Sequence, residues 1–139
     1  MRLRYNLLVI IVLAISSVAG AQVESPWTKK IKWSADKFSD KNDSRQLNVS
    51  TYFIYDQSEF QWYQRGGAHK TEFTITGQSG TWENLENNGQ MDFDVIREGN
   101  RGKIIIIRKR GQITLSMKFN DLKVGSINYE FDITDFEIY

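Results

Sequence analysis

The sequence predicts an all-β domain, an antiparallel up-and-down meander of about eight to nine strands closed or nearly closed into a barrel, behind a cleaved amino-terminal leader. Three observations carry this expectation. Apolar residues recur at every second position through most of the chain after residue 26, the period that gathers them on one face of a strand. Turn-forming clusters separate these runs, and no stretch after the leader repeats with the period of a helix. The connections are short, none much beyond about seven residues, whereas a Greek-key sandwich needs at least one long crossover. Closing the meander removes the unpaired edges it would otherwise expose.

The leader spans residues 1–21. Arg2 and Arg4 make a basic start, Leu7 to Ile15 an unbroken apolar run, and Ala19-Gly20-Ala21 a small-residue cleavage site, which together read as a secretory signal peptide. Even extended to Ala21, the apolar stretch falls short of the roughly 20 residues that cross a bilayer. Residues 22–139 are expected to form a single secreted or periplasmic β domain. The leader holds two of the 18 Lys and Arg and none of the 17 Asp and Glu, so residues 22–139 carry 16 against 17. A domain this close to neutral has no global electrostatic attraction to nucleic acid. The absence of cysteine removes disulfides, thiol nucleophiles and thiolate metal sites, leaving the hydrophobic core to hold the fold. The richness in Lys, Asn, Ile and Asp points to a bacterial exported protein.

The first strand is expected over about Trp27 to Lys37, with Ile31 and Trp33 inward. In the second, Leu47, Val49, Thr51, Phe53 and Tyr55 share a face. A turn at Gln57-Ser58 then sets Tyr55 opposite Phe60 and Phe53 opposite Trp62. Phe73 and Ile75 point inward from a strand over Lys70 to Thr76. Thr81 to Leu85 reads as a further strand, because Asn88-Gly89 is a preferred type I′ hairpin pair. That turn places Trp82 opposite Val95, Asn84 opposite Phe93 and Glu86 opposite Met91.

Lys103 to Phe119 is the clearest hairpin. Ile104 to Ile107 favour a pleated surface, and Ile113, Leu115, Met117 and Phe119 alternate with polar residues. Arginine resists positive φ, so a three-residue Lys109-Arg110-Gly111 loop is expected, with φ positive at the glycine alone. It pairs Ile107 with Ile113 and Ile105 with Leu115, and leaves Ile104 and Ile106 on the opposite face. In the last strand Ile127, Tyr129, Phe131 and Ile133 alternate, then the parity changes to Phe136 and Ile138. One extra residue near Thr134-Asp135, a bulge, accounts for the change.

The architecture is lipocalin-like. Gly80-Thr81-Trp82 resembles the lipocalin Gly-x-Trp signature, but lipocalins carry that motif on the first strand and here it is mid-chain, so the likeness is one of architecture and not of family.

Candidate chemistry is sparse. His69, the single histidine, sits in a glycine-flanked segment with no nucleophile-elbow spacing around any serine. The Asn-Gly register would bring Glu83 opposite Asp94 with Asp92 nearby, a carboxylate pair of the kind glycosidases use. Trp82, the aromatic that could line a sugar subsite, would lie on the other face; Glu130, Asp132 and Asp135 read as solvated side chains. Arg108, Lys109, Arg110 and Lys103 flank the isoleucine run as charges that guard against aggregation, and Gly99 to Lys103 lacks phosphate-loop spacing. No catalytic residue, metal site or cofactor is expected, and the domain reads as non-enzymatic.

The aromatic concentration at Tyr52, Phe53, Tyr55, Phe60, Trp62 and Tyr63 carries the functional expectation: inward rings that line an apolar site, or outward tyrosines that stack on a carbohydrate or partner. The expected ligand-contacting residues are Phe53, Tyr55, Phe60, Trp62, Trp82 and Phe93. The expected function is binding of a small apolar or amphipathic ligand, or of a surface partner, with neither nucleic acid nor stable membrane insertion after leader cleavage. The alternative is an exported carbohydrate-binding or carbohydrate-active domain that uses outer-face acidic and aromatic residues.

Overall fold

The computed structural model of the protein describes residues 25–123 and 125–139; the leader and its cleavage site lie outside them. Eight strands follow one another around a closed antiparallel barrel: β1 (Ile31–Asp40), β2 (Arg45–Tyr55), β3 (Glu59–Gln64), β4 (His69–Ser79), β5 (Gly89–Arg97), β6 (Asn100–Lys109), β7 (Gln112–Asp121) and β8 (Gly125–Ile138). Each pairs with its sequence neighbours, and β8 closes onto β1. The expected meander and its closure are therefore both present.

Alternation decides what faces inward. Ile31, Trp33 and Ala35 of β1 are buried, as are Phe53 and Tyr55 of β2, Phe60 and Trp62 of β3, Phe73 of β4, Met91, Phe93 and Val95 of β5, and all four alternating residues of β7. The β2–β3 register has Phe53 opposite Trp62 and Tyr55 opposite Phe60, as the turn at Gln57-Ser58 requires. On β8, Asp135 pairs with Ser34 but Ile133 with Ala35, so Thr134 is the extra residue that carries Phe136 and Ile138 back toward the core. Further bulges between Ala35 and Lys37 in the β1–β2 pair and between Ile75 and Gly77 in the β4–β5 pair bend the wall.

Three local expectations fail. β1 starts at Ile31 rather than Trp27, because Pro26, with its fixed φ and missing N–H, opens a 3-10 turn over Pro26–Thr28 instead. Trp27 thereby leaves the wall and packs edge-on against Phe93 at the barrel end.

The β6–β7 connection is the two-residue loop Arg110-Gly111, not the three-residue loop. Arg110 has φ 53° and Gly111 φ 75°, so the arginine accepts the left-handed conformation. The pairing becomes Ile106 with Leu115 and Ile104 with Met117. Ile104 and Ile106 are fully buried, while Ile105 and Ile107 sit half-buried on the outer wall. Two isoleucines face inward in either register; β5 settles which, because Met91 pairs with Ile106 and Phe93 with Ile104, and that match on both sides of β6 outweighs the roughly 1–2 kcal/mol of one left-handed arginine.

The third correction concerns Asn88-Gly89, which is not a hairpin turn. Residues 80–88 form a loop, β5 begins at Gly89, and β5 pairs with β4 through Ile75–Val95, Gly77–Asp94, Gln78–Phe93 and Ser79–Asp92. Trp82 is accordingly not opposite Val95, nor Asn84 opposite Phe93, nor Glu86 opposite Met91. Trp82 is nonetheless buried, since the loop folds its indole back over the barrel end. Gly89 is required for close approach: a Cβ there would meet the Trp82 side chain at 2.2 Å. Gly89→Ala is expected to lower stability by about 1–3 kcal/mol, the usual scale of overpacking, read as a drop in thermal midpoint. An unchanged midpoint would mean that Trp82 does not lie against Gly89.

Candidate functional site

The antiparallel order gives the barrel two unlike ends. One, the plug end, gathers the Pro26–Thr28 turn, residues 56–58, the 80–88 loop and Arg110-Gly111; the other, the mouth, gathers residues 41–44, 65–68, 98–99 and the connection after Asp121.

Between them the six residues expected to contact a ligand are all core. Phe53, Tyr55 and Phe60 are fully buried, Trp82 and Phe93 nearly so, and Trp62 is 8% exposed. They are brought together, but mostly by packing on one another and their neighbours. Phe53 lies parallel to Trp62 at 5.9 Å and edge-on to Phe131 at 4.9 Å. Phe93 meets Tyr55 at 5.2 Å and Phe60 at 5.7 Å. Trp82 stands apart from this cluster and stacks on Trp33, with ring centroids 5.7 Å apart. Alternation placed Trp33 inward in the sequence, but its partnership with Trp82 depends on the loop's folding back and has no local signal.

The mouth retains a recess. Its apolar lining comes from Trp62, Phe73, Met117, Phe119 and Ile127, and its polar rim from Arg97, Asn100 and Asp121. The enclosed volume is about 20 Å³, room for roughly one water. Thr51 holds Trp62 in place: its hydroxyl accepts the indole N–H at 2.7 Å and donates to the Tyr63 carbonyl. The Asn100 amide donates to the Asp121 carboxylate at 3.4 Å. Gly102 leaves space for the Phe119 ring, which a Cβ would meet at 2.4 Å. On the same end stand Leu122, 97% exposed, and Leu47. Sequence reading missed this combination, because Arg97, Asn100 and Asp121 come from three different strands and only the register joins them.

The plug end is closed. The Trp82 indole N–H donates to the carbonyls of Asn84 and Asn87 within its own loop. Arg108 donates to the Leu85 carbonyl at 3.0 Å, so one of the expected guard charges also pins the loop. The Tyr55 hydroxyl donates to the Trp27 carbonyl and ties the Pro26–Thr28 turn to β2.

Other candidates disperse. Glu83 lies exposed in the loop, while Asp94 pairs with Gly77 in the sheet and its carboxylate meets Lys103 at 3.2 Å, so the opposed carboxylates are not formed. Tyr52 and Tyr63 do share the outer wall, but they stack on each other at 4.6 Å and 12°, and Lys32 covers the Tyr52 ring. His69 opens β4 opposite Gln64, exposed. Among the described residues no three of His, Asp and Glu come together in a metal-binding group.

Comparison with protein-family models finds none that matches this chain, and comparison with curated proteins gives no match.

Two phenols titrate above their ordinary range. Burial holds the Tyr55 hydroxyl up, with Asp56 adding to it; burial also raises Tyr129, with Asp40 nearby. A phenol whose folded pKa is raised leaves the unfolded chain to lose its proton first. The stability it contributes is complete below about pH 10, the unfolded value, and is lost as pH rises through the folded one. The thermal midpoint should therefore fall above about pH 10, and fall less in Tyr55→Phe. Parallel profiles for the two proteins would show that Tyr55 does not titrate in a buried setting.

Proposed function

We propose that the protein is an exported, non-enzymatic barrel that binds a small amphipathic ligand, or the apolar group of a partner, at its mouth. The observation that carries this reading is the recess itself, an aromatic floor at Trp62, Phe73 and Phe119 under a polar rim of Arg97, Asn100 and Asp121. Apolar floor beneath a few convergent polar groups is the usual composition of a small-molecule site. The interior behind it is occupied by the protein's own rings, so the site takes a chain end or one apolar group rather than a whole lipid. Leu47 and Leu122 extend the apolar character onto the surrounding rim, where a larger partner would rest. The wall supports a water-facing protein, with apolar side chains inward and Lys, Glu, Gln and Thr outward, the reverse of the pattern in a lipid-embedded barrel. Export rests on the leader, and the mass of the exported species is expected to begin at Gln22.

Eight-carbon amphiphiles with neutral and anionic head groups, titrated while tryptophan emission is followed, test the mouth. A saturable change is expected that persists in Trp82→Phe and disappears in Trp62→Phe, each shown to be folded by circular dichroism. A change that survives in Trp62→Phe, or no saturable change from any amphiphile, would overturn ligand binding at the mouth.

A further inference from the structure

Trp33 carries the one buried side-chain nitrogen or oxygen among the described residues that has no hydrogen-bond partner, its indole Nε1. The other buried polar tips nearby are satisfied: Trp62 by Thr51, Tyr55 by Trp27, and Trp82 by two carbonyls of its loop. An orphaned donor in a native interior calls for an explanation, because desolvating an N–H without replacing its acceptor is unfavourable. The Trp33 ring is fully buried, with Trp82 stacked at 5.7 Å and Phe136 at 5.7 Å. Indole is a donor only. Trp82, stacked on the face of Trp33, is itself a donor and cannot supply the acceptor that the Trp33 N–H lacks at the ring edge.

The segment that delivers Trp82 differs from the other connections. It runs over residues 80–88, against two-residue turns at Glu98-Gly99 and Arg110-Gly111. Two buried side chains, Trp82 and Leu85, each 1% exposed, anchor it in the core, and two hydrogen bonds fasten it to the barrel, Gln90 N–H to the Thr81 carbonyl at 2.9 Å and Arg108 to the Leu85 carbonyl at 3.0 Å. Gly80, with φ 105°, stands at one end and Gly89 at the other, so both junctions are glycines.

We infer that residues 80–88 are a lid over a second ligand site, in which a planar apolar molecule replaces the Trp82 indole on the face of Trp33 and carries an acceptor oxygen past that face to the Trp33 N–H at the ring edge. In the closed protein Trp82 acts as an internal substitute for that molecule. A ligand matching both the flat apolar surface and the missing acceptor outcompetes it, with an apparent affinity reduced by the fraction of time the lid is closed. This site lies at the opposite end from the mouth and does not rest on the reading of the mouth.

The test is a pair of probes of similar shape, 2-acetylnaphthalene with a carbonyl oxygen and 2-ethylnaphthalene without one, titrated into 15N-labelled protein. The Trp33 indole N–H resonance is assigned through Trp33→Phe. The ketone is expected to bind roughly fivefold more tightly, the scale of one added hydrogen bond, to move the Trp33 N–H downfield, and to lose its advantage in Trp33→Phe. Arg108→Ala, which unfastens Leu85, is expected to raise the affinity for both probes by roughly tenfold. If that variant fails to fold, the comparison of probes in the unaltered protein decides alone. Equal binding of the two probes, or a Trp33 N–H that does not move, overturns the inference. So does a cross-peak from that N–H to a bound water in the free protein, since the donor would then be satisfied by solvent. A response confined to the Trp62 N–H overturns the lid site while leaving the mouth intact, and a response confined to Trp33 supports the lid site and leaves the mouth to its own titration.

Discussion

An eight-stranded barrel encloses a space just wide enough for its own side chains to fill, and the way this chain fills it governs the rest of the molecule. The inward positions carry Trp33, Phe53, Tyr55, Phe60, Trp62, Phe73, Phe93, Phe119 and Phe131, nine rings from the strands alone. Rings of this size meet edge-on or offset, as Phe131 does against both Phe53 and Trp62, and so lock the opposite walls together. With no cysteine in the chain, this packing and the unbroken ladder from β1 round to β8 are what hold the fold. Glycines appear where the filling leaves no room: Gly89 beneath Trp82 and Gly102 beneath Phe119.

A filled interior leaves space only at the two ends, which are finished differently. At the mouth the rings stop short of the rim and leave a small aromatic floor under Arg97, Asn100 and Asp121. At the other end the chain inserts an extra aromatic from a loop, and Trp82 completes the packing that the strands begin. The mouth offers a ready surface of limited depth. The plug end offers depth only after part of the protein moves aside, and the Trp33 donor is the group such a movement would put to use.

What the sequence made legible is what a period of two can specify. The inward faces of β5 and β7, the aromatic pairs of β2 and β3, and the extra residue at Thr134 all follow from alternation and one turn. Both failures of register lie at glycine-containing dipeptides whose local preference is overruled by side chains distant in sequence. Arg110-Gly111 adopts a tight turn that arginine disfavours, because the burial of Ile104 and Ile106 fixes the strands on either side. Asn88-Gly89 has the right composition for a hairpin but gives way to the approach of Trp82, which needs a residue without a side chain at Gly89 and a free-running loop before it. The same distance effect explains the site. Each of Phe53, Tyr55, Phe60, Trp62, Trp82 and Phe93 could be assigned to the interior from its spacing. Whether a ring lines a space or fills it depends on what faces it across the barrel, and the pairings of Trp33 with Trp82 and of Arg108 with Leu85 carry no signal in the residues beside them.

A lid at residues 80–88 requires that a rigid, filled barrel carry one segment able to open by itself. Native-state hydrogen exchange under increasing denaturant measures this directly, through the amides of Asn87 and Gln90, which bond to the carbonyls of Asn84 and Thr81, against those of β6 and β7. The Asn87 amide within the loop and the Gln90 amide of β5 that bonds to it are expected to exchange through a small opening nearly independent of denaturant, while the β6 and β7 amides exchange only with global unfolding. Exchange of the Asn87 and Gln90 amides with the same free energy and the same denaturant dependence as β6 and β7 would contradict such an opening, since Trp82 would then leave the barrel only when the whole barrel comes apart.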